Sequence, residues 1–248
     1  MTRWVVEAEN LSKTFSWVPI LHNVSYQVAA GETIAVFGPN GAGKTTFLRL
    51  LATLVRPSSG TLKLFGQTPD ESDLRHKLGF LGHDSFLYLD LTPIENLTFY
   101  GRAYGLKNLD ARIAEVLHYV GLQDWGHTAI RTFSRGMEQR IALARTLLHD
   151  PQLLLFDEPY TGLDTRGIET LQQTFVQARE QGKTVIFTTH DFRLGLQLCD
   201  RAVIFHRGRL AWQSQNHLPT PQEFPDIYHA ATQPPSSHPK SLGLGTRD

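Results

Sequence analysis

Eight consecutive residues in the first fifth of the chain have the types and the spacing that bind phosphate. The segment Gly38–Thr45 fits the pattern G-x-x-x-x-G-K-[ST]. Glycines let backbone N–H groups turn around phosphate oxygens, Lys44 can reach the β- and γ-phosphates, and the Thr45 hydroxyl can hold Mg²⁺. An apolar predicted strand, Thr33–Phe37, precedes the loop, and a predicted helix, Thr46–Thr53, follows it. This strand–loop–helix order predicts a site for nucleotide phosphates.

Two acidic residues follow a second apolar run in a way that suits the same chemistry. The run Leu153–Phe156 has the length of a buried strand and leads directly into Asp157 and Glu158. Ligands bind at the carboxyl ends of strands in open α/β sheets. Asp157 therefore suits Mg²⁺, and Glu158 suits the polarisation of a water that attacks the γ-phosphate.

A third segment predicts a further anion site. Ser134 is placed to cap a helix whose apolar face is formed by Met137, Ile141, Ala144 and Leu148. Backbone N–H groups at a helix N-terminus, here close to Gly136, attract anions. Plain helix capping is the ordinary role of such a serine, but this one lies about 20 residues before the acidic pair.

The composition is that of a globular protein and excludes several classes. The chain has 248 residues, of which 41% are hydrophobic and 19% charged, and its 24 basic and 24 acidic residues cancel. This balance gives no support for a nucleic-acid partner, and none is expected. The single cysteine, Cys199, is interpreted as a small core residue. We expect no signal peptide at the start and no membrane-spanning helix.

The order of the predicted elements indicates an α/β fold interrupted by helices. The period is helical from about residue 84 to 150, where Thr92–Glu95 forms a capping box and a stripe from Ile113 to Val120 ends at Gly121. The other predicted helices span 165–181 and 192–199. Strands are predicted at Val5–Val6, Val24–Val28, Thr33–Phe37, 61–65, Leu153–Phe156, Thr184–Thr189, Arg201–Phe205 and Arg209–Trp212.

Taken in order, these motifs resemble those of the ATP-binding cassette (ABC) ATPases over most of the chain. Gly38–Thr45 matches the family's Walker A loop, and Phe156–Glu158 ends its Walker B strand. Phe133–Met137 matches the signature motif, Gly162–Asp164 matches the D-loop, and His190 matches the switch histidine.

The resemblance implies a P-loop NTPase (RecA-like) core sheet, an antiparallel β subdomain and a helical subdomain that carries the signature motif. We expect residues 1–215 to form this ATPase domain and residues 216–248 to form an extension that is disordered from about 232. Glu158 and His190 are implied to be catalytic, and Thr45 and Asp157 to hold Mg²⁺. The implied ATP-binding residues are Phe15, Gly38, Pro39, Asn40, Gly41, Ala42, Gly43, Lys44, Thr45, Thr46, Ser134, Gly136 and Asp164.

The chain departs from the family pattern at three positions. The signature has Arg135 and Met137 where Gly and Gln are commonest. His83 stands where the Q-loop normally has glutamine, and we interpret it as a metal or water contact or as a neutral substitute of similar geometry. Phe15 is the candidate for stacking on adenine, with Trp17 as a weaker one.

The resemblance also implies partners. A family member of this kind works as a homodimer in which Ser134 and Gly136 of one subunit face the ATP held by Lys44 of the other. An integral membrane permease would supply the spanning helices, contact the surface near Phe86–Leu89 and hold the ATPase on the cytoplasmic face of the membrane. His83 together with Leu91–Leu97 resembles the haem-exporter ATPase subunit of cytochrome c biogenesis.

Three alternatives stay open at this point. The chain could serve another export system, or be a soluble ABC ATPase that acts on ribosomes or DNA. Such soluble proteins usually carry two cassettes or coiled-coil insertions, and this chain has one cassette and no heptads. The third alternative, a P-loop GTPase or kinase, lacks a guanine motif and leaves the signature segment unexplained.

Overall fold

The computed structural model describes residues 3–69, 72–215 and 217–233. Its strands are β1 (Trp4–Phe15), β2 (Val18–Ala29), β3 (Thr33–Phe37), β4 (Ser59–Leu64), β5 (Leu78–Leu81), β6 (Leu153–Phe156), β7 (Thr184–Thr188), β8 (Arg201–His206) and β9 (Arg209–Gln213). Its α-helices are α1 (Lys44–Leu51), α2 (Pro93–Ala103), α3 (Leu109–Tyr119), α4 (Arg135–Leu147), α5 (Thr165–Glu180), α6 (Phe192–Leu198) and α7 (Phe224–Thr232).

A six-stranded sheet in the order β5-β6-β7-β3-β8-β9 forms the core. All its pairings are parallel except that of β8 with β9, which is antiparallel as the predicted closing hairpin requires. Every residue of β3, β6 and β7 is buried, because helices cover both faces of a parallel sheet. The predicted α/β fold is therefore confirmed. Sequence reasoning missed β5, a four-residue strand whose apolar run is interrupted by Gly79.

A second, antiparallel sheet has the order β2-β1-β4. Its strands β1 and β2 are 12 residues each, longer than the short apolar stretches predicted within them. Both strands have irregular register, with several shifts in their pairing, and these shifts blur the alternation of apolar and polar residues. This sheet is the predicted antiparallel β subdomain.

Helices α2, α3 and α4 share a core of their own. The predicted capping box is present at α2, where the Glu95 N–H donates to the Thr92 hydroxyl over 3.2 Å and the Thr92 N–H donates to the Glu95 carboxylate over 2.8 Å. The predicted apolar stripes of α3 and α4 meet in this core, which includes Ile113, Val116, Leu117, Val120, Ile141, Ala144 and Leu148. Residues 84–92 are not helical, so the helical region begins later than predicted.

The chain continues past β9 into a helix that sequence reasoning did not predict. Helix α7 lies against β8 and β9, and its Phe224 is fully buried. The segment around α7 is rich in proline and histidine, so the short apolar face of this helix was not recognised in the sequence. The predicted disorder from about residue 232 falls almost entirely on residues 234–248, which lie outside the described residues.

Two composition-based expectations concern Cys199 and the membrane. Cys199 is buried, and burial raises the pKa of its thiol to about 12, so it is the inert core residue predicted. Within the described part of the chain, no helix combines the length and apolar character needed to cross a bilayer.

Candidate active site

The phosphate-type loop between β3 and α1 has a backbone that only glycine accommodates at its ends. Gly38 and Gly43 have φ angles of 146° and 99°. A Cβ atom at Gly38 would lie 2.2 Å from the carbonyl oxygen of Phe205, and one at Gly43 would lie 2.7 Å from Cδ2 of Leu21. The loop is thus pressed between β8 and β2, and helix α1 begins at Lys44 with its N-terminus at the loop. This geometry presents backbone N–H groups and a helix dipole to one point.

Lys44 is held inside the loop. Its Nζ donates to the carbonyl oxygen of Gly38 over 2.7 Å and to that of Pro39 over 3.3 Å, and only 7% of the residue is exposed. Burial lowers the pKa of Lys44, and the nearby carboxylates of Glu158 and Asp157 oppose that shift. The ammonium group is therefore a desolvated cation, which an anion in the cleft would stabilise.

The acids after β6 are fixed by a residue of the neighbouring strand. The Thr188 hydroxyl, at the end of β7, donates to Oδ1 of Asp157 over 2.8 Å and accepts from the Glu158 N–H over 2.8 Å. Glu158 has a φ of 52°, an unfavourable value for a residue with a side chain. Thr188 thus holds the Asp157 carboxylate and the strained Glu158 backbone at once.

Glu158 and His190 form a pair at the mouth of this region. Nε2 of His190 lies 2.9 Å from Oε1 of Glu158, and the two side chains are 53% and 28% exposed, respectively. Burial raises the pKa of Glu158, while His190 and Lys44 act in the opposite direction. A carboxylate with a raised pKa accepts a proton more readily than an ordinary glutamate, which suits a general base.

These groups share one cleft of about 320 Å³. It is lined by Ile20, Asn40, Gly41, Ala42, Gly43, Lys44, Thr45, Thr46, Asp157, Glu158 and His190. The donor set fits Mg²⁺, since the Thr45 hydroxyl and the Asp157 carboxylate offer the hard oxygen ligands that this ion takes together with substrate phosphates. The described residues contain no cluster of three or more acidic, histidine or cysteine side chains that could hold a metal alone.

The predicted second anion site lies elsewhere in the same chain. Among the described residues, Ser134 and Gly136 do not contribute to the lining of the cleft. Ser134 is exposed and caps α4, accepting the Met137 N–H over 3.3 Å. A Cβ at Gly136 would lie 3.1 Å from Cγ of Asp164, so the signature segment packs directly on the D-loop.

The unusual signature residue Arg135 lies against the D-loop. A Cβ atom at Gly162 would lie 2.5 Å from Nε of Arg135, so the arginine side chain lies over the D-loop glycine. The D-loop residue Asp164 in turn caps α5 through the Gly167 N–H, over 2.8 Å. The signature segment and the D-loop therefore pack directly against each other.

Among the described residues, the predicted site residues Gly38, Pro39 and Asp164 also lie outside the cleft lining, and so do His83 and Phe15. His83 is exposed, and its neighbours tie the connection after β5 to two helices: Asp84 pairs with Arg49 of α1 at 3.2 Å, and the Ser85 hydroxyl donates to Glu138 of α4 over 2.7 Å. Phe15 is 43% exposed, with Nζ of Lys13 4.6 Å from its ring centre.

Sequence reasoning did not single out two buried polar residues of this region, Thr188 and Arg140. Arg140 donates to the Val120 carbonyl over 2.9 Å and pairs with Asp164 at 3.3 Å, so it joins α4 to the D-loop. Thr188 can be found once β6 is aligned with β7. Phe156 pairs with Phe187, so the residues that follow them, Asp157 and Thr188, lie side by side.

Comparisons with known proteins bear on this arrangement. A family model described as "ABC transporter" matches residues 21–161. The ABC transporter ATP-binding protein NatA of Bacillus subtilis (strain 168) is 35% identical over 201 residues, which cover 79% of this chain and 82% of NatA. The linearmycin resistance ATP-binding protein LnrL of the same organism is 37% identical over 210 residues, 83% of this chain and 68% of that protein.

The solved structures that resemble this one have the same architecture. One, described as the ATP-binding subunit of an ABC transporter, has a TM-score of 0.83 and 26% identity and covers 92% of this chain and 100% of its own. Another, a dimeric post-hydrolysis state of the ATP-binding cassette MJ0796 bound to ADP and Pi, has a TM-score of 0.78 and 27% identity, with coverage of 86% and 100%.

Proposed function

The chain belongs to the ABC transporter family as an ATP-binding subunit, and on that premise we propose that it hydrolyses ATP as a homodimer to drive a membrane exporter. The observation that carries the proposal is the single cleft shared by Lys44, Thr45, Asp157, Glu158 and His190. These are the groups that phosphoryl transfer to water requires: a cation, oxygen ligands for Mg²⁺, a base and a second polar group.

We propose the following division of work. Lys44 and the loop N–H groups bind the β- and γ-phosphates, and Thr45 and Asp157 would hold Mg²⁺, which neutralises phosphate charge when bound. Glu158 accepts a proton from the attacking water, and His190, 2.9 Å from it, orients that water and the γ-phosphate. Gly38–Gly43, Thr46 and Phe15 complete the proposed ATP contacts.

The proposed dimer follows from where Ser134 lies. Its side chain is exposed at the N-terminus of α4 and does not contribute to the described lining of its own chain's cleft. A head-to-tail pair with twofold symmetry would bring Ser134, Gly136 and Asp164 of one subunit to the ATP of the other. Each chain then contributes its Lys44 half to one ATP site and its Ser134 half to the other.

Mixing two inactive variants tests this arrangement. Lys44→Ala and Ser134→Arg should each abolish ATPase activity alone, one through phosphate binding and the other through the opposite half-site. In an equal mixture, half of the dimers are mixed and each of these has one intact site, so about a quarter of the wild-type sites return. Restored activity supports the composite site, whereas an inactive mixture whose subunits exchange would contradict it.

The proposed permease surface is an exposed aromatic patch formed by Phe86, Tyr88, Leu89 and Phe99. Their side chains are between 41% and 49% exposed. Phe99 packs edge-on against Tyr88 at a centroid distance of 5.1 Å. Beside the patch lies a groove of about 350 Å³ that includes Phe86 and Arg145. An exposed cluster of this kind suits the apolar face of a helix from a membrane partner.

Charged substitutions in the aromatic patch separate docking from hydrolysis. Phe99→Asp and Tyr88→Asp should remove co-purification with a polytopic membrane protein while leaving nucleotide binding intact. Val176→Asp, at a 56% exposed apolar position on α5, is the matched control and should keep membrane association. Equal association of all three variants with the membrane partner would exclude the patch as the docking site.

The finer proposal is haem export for cytochrome c biogenesis. It is supported by His83 and Leu91–Leu97 as a resemblance of sequence. The relatives include proteins named for linearmycin resistance and for Nod factor export, so another export system is the alternative. Deletion of the coding sequence should abolish covalently haem-bound c-type cytochromes, and the wild-type chain, unlike Lys44→Ala, should restore them. Normal cytochrome c levels after deletion would exclude this substrate.

A further inference from the structure

Helix α7 contributes to a cluster of aromatic residues, of which Phe37 and Phe224 are fully buried and the others partly buried. This aromatic core consists of Phe37, Phe192, Trp212, Phe224 and Tyr228. The Phe224 ring centre lies 4.7 Å from that of Phe37, 5.1 Å from that of Phe192 and 6.0 Å from that of Trp212. Phe224 is 0% exposed and is the one fully buried residue of α7, so this ring anchors the helix to the rest of the chain.

The two rings that Phe224 touches most closely belong to the segments that hold the site. Phe37 is the last residue of β3 and immediately precedes Gly38, where the phosphate loop starts. Phe192 opens α6 and lies two residues after His190. Phe224 therefore bridges the base of the loop that carries Lys44 and the base of the turn that carries His190.

Little free space remains between these segments. A Cβ atom at Gly195 of α6 would lie 2.5 Å from Cζ of Phe37 and 2.9 Å from Cγ2 of Thr189. Helix α6 thus packs closely against Phe37 and Thr189, the residue before His190. Phe224 packs against Phe37 and Phe192. Protein interiors packed in this way transmit a change of side-chain volume to the neighbouring backbone.

We propose that Phe224 is a positioning residue for ATP hydrolysis, which sets the place of His190 relative to the phosphate loop. The inference rests on the proposed ATPase function. Phe224 lies beyond the part of the chain that matches the family model, residues 21–161. His190 lies beyond this matched part as well, and on this proposal helix α7 helps to position it.

The expected effect is on turnover more than on nucleotide binding. Loss of the ring would let α6 and the Thr189–Asp191 turn shift, and displacements of about 1 Å at a reacting group can cost on the order of a hundredfold in rate. The phosphate loop has further close contacts with Leu21 of β2 and with the Phe205 backbone of β8, which do not involve α7. We therefore expect Phe224→Leu to lower kcat about tenfold and to change the Kd for ATP less than about twofold.

The experiment compares Phe224→Leu with Leu62→Ala in the full chain, at a temperature well below both unfolding midpoints. Leu62 is a buried residue of β4 in the antiparallel sheet, and its truncation should cost at least as much stability without moving His190. Wild-type kcat for Leu62→Ala with a tenfold loss for Phe224→Leu supports the proposal. A kcat for Phe224→Leu within twofold of wild type overturns it.

A double-mutant cycle with Phe192→Leu gives a second readout. If both rings act through the same turn, the double variant should lose little more than either single variant, and losses that multiply would contradict the shared route. Failure of this inference is distinguishable from failure of the proposed function. In the first case the wild-type chain hydrolyses ATP and the variants do so equally well, and in the second the wild-type chain hydrolyses none.

Discussion

Thr188→Val would remove one hydroxyl group and keep the shape of a fully buried side chain. The lost hydroxyl donates to Asp157 over 2.8 Å and accepts from the Glu158 N–H over 2.8 Å. A hydrogen bond to a charged group contributes about 1.5–3 kcal/mol, and a buried N–H left without a partner costs about 1–3 kcal/mol. The free energy of unfolding should therefore fall by about 2.5–6 kcal/mol.

The same substitution should slow ATP hydrolysis, since it frees the Asp157 carboxylate and the Glu158 backbone, whose φ is 52°. If half of the lost free energy is felt in the transition state, kcat falls about 10- to 100-fold, because each tenfold corresponds to about 1.4 kcal/mol. Thr188→Ser keeps the hydroxyl and should retain a kcat within about threefold of wild type.

Steady-state ATPase assays and urea unfolding of the three proteins give both quantities. A Thr188→Val enzyme with the kcat and stability of Thr188→Ser would refute the reasoning, because the hydroxyl would then hold neither acid.

Three further predictions concern single residues of the site. Lys44→Ala should weaken ATP binding in calorimetry and abolish hydrolysis, since it removes the buried cation; near-normal affinity would contradict its role. Burial raises the pKa of Glu158, so ionisation of this carboxyl lowers the free energy of unfolding at neutral pH. Below about pH 4 the carboxyl is protonated in the native and the unfolded state, and this loss of stability is absent. Glu158→Gln should therefore be more stable than wild type at pH 7 in denaturant unfolding, and the difference should vanish on acidification; a constant difference would contradict this sign. For His83, if the exposed ring reaches Mg²⁺ or the attacking water in the ATP-bound dimer, His83→Gln should keep its ATPase rate while His83→Ala loses about tenfold; equal rates would make His83 a passive substitute.

The parts of the fold that the sequence predicted are those in which local pattern and burial agree. Strands β3, β6 and β7 are buried on both faces and read as unbroken apolar runs, and α2 carries its capping box in four consecutive residues. The motifs singled out Lys44, Asp157, Glu158 and His190, and the structure brings these four residues to one cleft.

The parts that sequence reasoning missed depend on contacts between distant segments. Thr188 cannot be told from the other threonines until β7 is paired with β6. Helix α7 is short, and its packing depends on the contact of Phe224 with Phe37, almost 190 residues earlier. The contact of Arg135 with Gly162 likewise joins two segments that are distant in the sequence. Local propensity carries no information about such pairs.

The central claim, that two copies of this chain complete each other's ATP sites, is tested most directly with Glu158→Gln. This variant keeps Lys44, Ser134 and the loop but lacks the carboxylate proposed as base, so bound ATP should persist and bridge two subunits. Sedimentation equilibrium with saturating Mg-ATP, and without it, should give a dimer only with nucleotide, with two ATP molecules per dimer. A monomer that binds ATP at full occupancy, also with its membrane permease present, would contradict the account.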